Sequence, residues 1–132
     1  LSYLSLSLQT TLKFKTYSGE TGIVVSPGAW MFHKGLTFPR RSNASKIYKD
    51  LYGIWYVASQ LGDFSNNAIE ELKSLFQQHP KWFQTFQDNL LKWIEQAAPI
   101  DWSKLETQDP FGRLKKLNFE RIVKSILQGK HL

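Results

Sequence analysis

The sequence predicts an α+β fold with segregated elements: antiparallel strands over residues 1–25, then a bundle of about five helices over residues 26–132. Two observations carry this prediction. The first residues alternate apolar with polar, the period of a half-buried strand, and beyond Ser26-Pro27 the apolar spacing lengthens to that of helices. At 132 residues the chain is one domain's length and long enough to bury a core.

Leu4, Leu6 and Leu8 alternate with serines, and residues 11–17 set Leu12, Phe14 and Thr16 opposite Lys13 and Lys15. Ser18, Gly19 and Glu20 form a turn, and residues 22–25 are a short third strand. Three strands without a fourth partner read as the edge of a truncated sheet, with an apolar face that a homodimer would cover. Ser26 at the N-cap and Pro27 at the first helical position start a helix that runs to about Thr37, where Pro39 breaks it. Residues 40–44 form a basic loop. The next helix spans 45–61 and ends at Gly62, a left-handed cap. Ser65 or Asn66 caps a third helix with Ile69, Leu72 and Phe76 on one face, and Pro80 opens a fourth with a broad apolar arc from Trp82 to Ala97. Residues 99–112 are irregular, with one turn near 103–106. The last helix, about 118–128, buries Phe119, Ile122, Val123, Ile126 and Leu127 before Gly129 stops it.

Composition narrows the function classes. Hydrophobic residues make 42% of the chain, which excludes wholesale disorder, and the absence of cysteine excludes disulfides and thiolate metal sites. No apolar run reaches the roughly 18 residues of a membrane span, so no membrane role is expected, and the lack of cysteine favours a reducing compartment, the cytoplasm. The net charge of +6 is uneven: residues 1–62 carry seven cations against two acids, whereas residues 63–100 carry three against five. An anionic partner is therefore expected at the first segment, and Lys73, in the acidic middle, is expected to play no part. His33, His79 and His131 are far apart, and no HxxxH, P-loop or GxSxG pattern occurs. No metal ligand is assigned.

On the 45–61 helix, Ile47, Leu51, Ile54, Ala58 and Leu61 form one apolar stripe at about 100° per residue, and Asp50 falls inside it. A carboxylate facing the core needs a cation or a metal to offset its desolvation. Lys34 is the nearest candidate, followed by Arg40 and Arg41. The residues alone allow two readings: an ion pair that docks two helices, or a site for something charged. Tyr48, Tyr52 and Trp55 form a second stripe, which fits core packing better than nucleobase stacking.

The succession "AWMFHKGL", basic loop, "KIYKDLYGIWYV" resembles the nucleotidyltransferase-fold proteins of the polymerase-beta-like superfamily, in particular the AbiEii-type toxin relatives. The resemblance covers residues 22–61. It implies that Lys34 lies near nucleotide phosphates, with Arg40, Arg41 and Lys49 as further phosphate-binding cations and Asp50 as a catalytic acid. Gly53 stands where many relatives carry a second acid. The family's metal carboxylates lie upstream, after a Gly-Ser or Gly-Gly turn that this chain lacks. The chain, which starts at Leu1, is therefore expected to be the C-terminal portion of a longer protein. That parent would transfer a nucleotidyl group from a nucleoside triphosphate to a hydroxyl of RNA or protein with Mg2+, and the isolated chain would be inactive. The alternative is a non-catalytic basic helical module that binds nucleic acid or a protein partner.

Overall fold

Proline at the first helical position, where its missing N–H costs nothing, begins the body of the fold. A computed structural model describes residues 11–15 and 21–128, with side chains from Val25 onward. The elements, in chain order, are β1 (Thr11–Lys15), β2 (Thr21–Val25), α1 (Pro27–Thr37), a 3-10 turn (Phe38–Arg40), α2 (Ala44–Ser59), α3 (Asp63–Gln78), α4 (Pro80–Gln96), α5 (Pro99–Glu106) and α6 (Lys116–Leu127). Helix α1 is the hub and touches α2, α3 and α4, while α5 and α6 close the far side of α2.

The expected α+β class is corrected: the fold is helical. Among the described side chains, every buried apolar residue except Phe38 and Leu114 lies on one of the six α-helices. β1 and β2 pair antiparallel, from Thr11 opposite Val25 to Lys15 opposite Thr21, as a two-stranded ribbon. Two strands do not make a layer on which helices stack, and such a pair has little stability of its own. Alternation reports only local extension, which is why it overstated the class. The expected strand at Leu4, Leu6 and Leu8, the turn at Ser18, Gly19 and Glu20, and the stop at Gly129 lie outside the described residues. So do the side chains of the face assigned to a homodimer.

Two aromatic clusters organise the core. Phe32 of α1 meets Phe76 of α3 and Phe86 of α4 edge-on, with centroids 5.2 and 5.7 Å apart. On the other side of α2, Trp93 of α4, Trp102 of α5 and Phe119 of α6 form a triangle with sides of 5.0, 5.8 and 6.1 Å. Such edge-to-face contacts add about 0.5–1.5 kcal/mol per pair beyond burial.

The ends of the helices differ from expectation in instructive ways. Ser26 occupies the N-cap of α1, yet its hydroxyl makes no cap bond. Glu71 of α3 accepts from the Gly28 N–H at 2.7 Å instead and so ties α1 to α3. The expected left-handed cap at Gly62 is not formed: α2 ends at Ser59 with Gln60 as its cap, and Gly62, with a φ of 61° and a ψ of −129° that glycine alone adopts readily, immediately precedes α3 at Asp63. The Ser65 hydroxyl accepts from the Leu61 N–H at 2.8 Å. The segment expected to be irregular holds a full helix, α5, because Pro99 opens it and the Asp101 carboxylate accepts from the Ala98 N–H at 2.9 Å. No described helix is long and apolar enough to cross a membrane.

Candidate functional site

The last turn of α1, the 3-10 turn and the first two turns of α2 converge on one carboxylate. Asn89 of α4 donates to the carbonyls of Gly35 and Leu36 at 3.0 and 3.3 Å, satisfying acceptors that the end of α1 leaves open. That fixes the turn carrying Lys34. Phe38 is buried and anchors the 3-10 turn, after which Arg41 leaves in an extended conformation. Asn43 then caps α2, its side chain accepting from the Ser45 N–H at 2.8 Å.

Asp50 is 5% exposed. Arg41 grips it through two bonds, Nε to Oδ2 at 2.9 Å and Nη2 to Oδ1 at 3.2 Å. Lys34 Nζ lies 3.6 Å from Oδ1 and 5.8 Å from the centre of the Trp30 ring. The buried, cation-paired acid that the apolar stripe called for is present, with Arg41 rather than Lys34 as its closer partner. The bond that Arg41 donates to Asp50, reinforced by the carboxylate's charge, raises the Arg41 pKa above its ordinary value. Burial, aided by the Lys34 charge and opposed by Asp50, lowers the pKa of neighbouring His33. The imidazole is thus biased toward its neutral form.

Lys34 and Arg41 come together on Asp50; Arg40 is exposed on the 3-10 turn beside them. Lys49 is exposed on α2, rotated about 100° from Asp50 by the helix. Tyr48 and Trp55 are core residues, 7% and 2% exposed, and do not offer open stacking surfaces. The Trp30 ring occupies the space that a side chain at Gly53 would need.

Magnesium does not fit the residues of this site. Both oxygens of Asp50 are engaged by Arg41, with Lys34 beside one of them, and no group of three His, Asp or Glu gathers into a metal-binding cluster among the described residues. What the arrangement provides is a pair of cations held in fixed positions at a surface.

Sequence reasoning missed Asn89, Asp101 and Asp109. The Asp101 carboxylate accepts from the Tyr48 hydroxyl at 2.7 Å and so links α5 to α2. Asp109 accepts from the N–H groups of Phe111, Arg113 and Leu114 at 3.0, 2.6 and 2.9 Å. The Asp-Pro-Phe-Gly spacing was the available signal for Asp109, because aspartate before such a turn binds backbone amides ahead of it. Nothing in the local sequence marks Asn89 or Asp101 as partners of groups more than 50 residues away. No protein-family model, no curated protein and no solved structure matches this chain.

Proposed function

We propose that the chain is the C-terminal part of a nucleotidyltransferase-like protein, and that Lys34, Arg40 and Arg41 hold nucleoside triphosphate phosphates. The observation that carries this reading is the buried Asp50 carboxylate shared by Arg41 and Lys34. One acid fixes two cations, so the surface keeps net positive charge and its donors lose little freedom on binding. Helix α2 begins at the same place with no acid in its first turn, and its N-terminus adds partial positive charge. Asp50 is in this reading a positioning residue. Lys49 adds to the general field. The transfer chemistry, its Mg2+ and the RNA or protein hydroxyl that accepts the nucleotidyl group belong to the remainder of the parent, which works where nucleoside triphosphates are abundant, in the cytoplasm.

Calorimetric titration with a nucleoside triphosphate at low salt tests the reading. Lys34→Ala and Arg41→Ala should each weaken binding by roughly three- to tenfold, and rising salt should weaken it further. Lys92→Ala, on an exposed position of α4, is the control. Equal losses at Lys92 and Lys34 would mean diffuse attraction and no site. Tighter binding of single-stranded RNA, lost evenly over all exposed cations, would favour a non-catalytic nucleic-acid module instead.

A further inference from the structure

Folding leaves a charge uncompensated on α3. Lys73 lies three residues before Phe76 and four before Gln77, so the three side chains share a face of that helix. Its Nζ is shielded from solvent and has no hydrogen-bond partner. No carboxylate pairs with it among the described residues. Burial lowers its pKa, and the charge of Glu70, exposed one turn earlier on α3, opposes that shift without bonding to the ammonium. An ammonium group taken out of water and left unpaired is costly, and the cost falls when an anion reaches it.

The space for an anion is present. Lys73 lines a half-open cavity of about 290 Å³ between α3, the start of α4 and the end of α6. Phe76, Phe83, Ile126 and Leu127 give it apolar walls, and Gln77 and Gln128, both exposed, complete the lining. The Phe76 and Phe83 rings meet with centroids 4.5 Å apart and form one continuous wall.

Charge, walls and volume together select the ligand. A single ammonium neutralises one negative charge, so a monoanion leaves nothing unpaired, whereas a phosphate dianion would strand a second charge against apolar walls. The walls require hydrocarbon next to that charge. An apolar cavity of about 150 Å³ holds a benzene ring, so this one has room for a six-carbon chain or ring and a carboxylate. A carboxylate accepts through both oxygens, one from the Lys73 ammonium and the other from a glutamine amide. The ammonium is shielded from water before the ligand arrives, so binding does not have to desolvate it.

We propose that the cavity between α3, α4 and α6 binds a monocarboxylate bearing a short apolar chain or a single ring. Its carboxylate lies on Lys73 and its hydrocarbon against Phe76, Phe83, Ile126 and Leu127. The site shares no residue with the Lys34–Arg41 pair and stands independently of the nucleotide reading.

Calorimetry and thermal melts with hexanoate, acetate and 1-hexanol separate the contributions of charge and hydrocarbon. Hexanoate should bind at least roughly tenfold tighter than acetate, which lacks the chain, and tenfold tighter than hexanol, which lacks the charge. It should also raise the thermal midpoint of the unaltered chain. Lys73→Met should abolish both effects while melting no lower than the unaltered chain, so that a lost signal is not an unfolded protein. A second measurement needs no variant: in an NMR pH titration, the Lys73 Cε and Nζ resonances should titrate at higher pH with hexanoate present, because the carboxylate favours the charged amine. Hexanoate binding to Lys73→Met as tightly as to the unaltered chain, or hexanol matching hexanoate, would overturn the proposal by removing the charge from it. Acetate matching hexanoate would overturn it by removing the walls, and so would a failure of hexanoate to bind at all.

Discussion

At the scale of single residues, Lys73 of α3 carries an ammonium group shielded from solvent and without a hydrogen-bond partner. Burial lowers its pKa, with Glu70 opposing. The unfolded chain therefore binds this proton more readily than the folded one. The folded state's handicap is full below the lowered pKa and disappears as the pH rises past the ordinary lysine value of 10.5. Lys73→Met should raise the thermal midpoint near neutral pH by roughly 2–5 °C, with the gain shrinking toward pH 10.5. An unchanged or lowered midpoint in a circular-dichroism melt would contradict this. Asp109 runs the other way. Burial raises its pKa, but the bonds from Phe111, Leu114 and Arg113 outweigh burial and leave it lowered. Its contribution to stability is present above the ordinary carboxylate range and is lost as the pH falls through the lowered value. Asp109→Asn should therefore destabilise the chain at neutral pH and match the parent in acid, as urea titrations at several pH values would reveal. Asp50 was legible in the sequence because an acid on an apolar stripe has few explanations. Lys73 also had a signal, lying four residues after Ile69 and three before Phe76 on the inward face of its helix, but its setting among acids obscured it.

Helix α2 joins the site to the core at the scale of elements. Its buried arc runs from Asp50 through Ile54, Leu51 and Ala58 to Trp55 and Tyr48, wider than the aliphatic stripe alone. Gly53 lies beyond the Asp50 edge of that arc, beneath the Trp30 ring. An exposed helical glycine replaced by alanine gains about 1 kcal/mol. At Gly53 the new methyl group would collide with Trp30, and overpacking of that kind costs about 1–3 kcal/mol. Gly53→Ala should therefore be neutral or destabilising, by up to about 2 kcal/mol in urea unfolding. It should also weaken phosphate binding, because Trp30 underlies Lys34. A clear stabilisation would show that Trp30 moves freely. Most helices were readable from proline starts and apolar spacing: α1, α2 and α4 begin within a residue of expectation. The ends of α3 and α5 were not, since Glu71, Ser65 and Asp101 act through partners that sequence proximity reveals only for the last two.

On the scale of the whole molecule, the helical body was legible and the class was not. The paired strands are short and local, and no sheet layer exists among the described residues for the helices to cover. Charge distribution singled out the segment in which Lys34 and Arg41 share one buried acid. It could not show that Arg41 rather than Lys34 would make the two-pronged grip, which depends on the extended exit from the 3-10 turn.

The central claim is that this cation pair is a phosphate site rather than a structural clasp. A proton–nitrogen NMR titration of the chain with tripolyphosphate at low ionic strength tests it most directly. A phosphate site predicts the largest shifts at the Arg41 Nε–H and at the backbone amides that open α2, Ala44 to Lys46, with both fading as salt is added. Shifts spread evenly over Lys104, Lys116, Lys124 and the other exposed cations, with Arg41 unmoved, would reduce the pair to a contact that docks two helices.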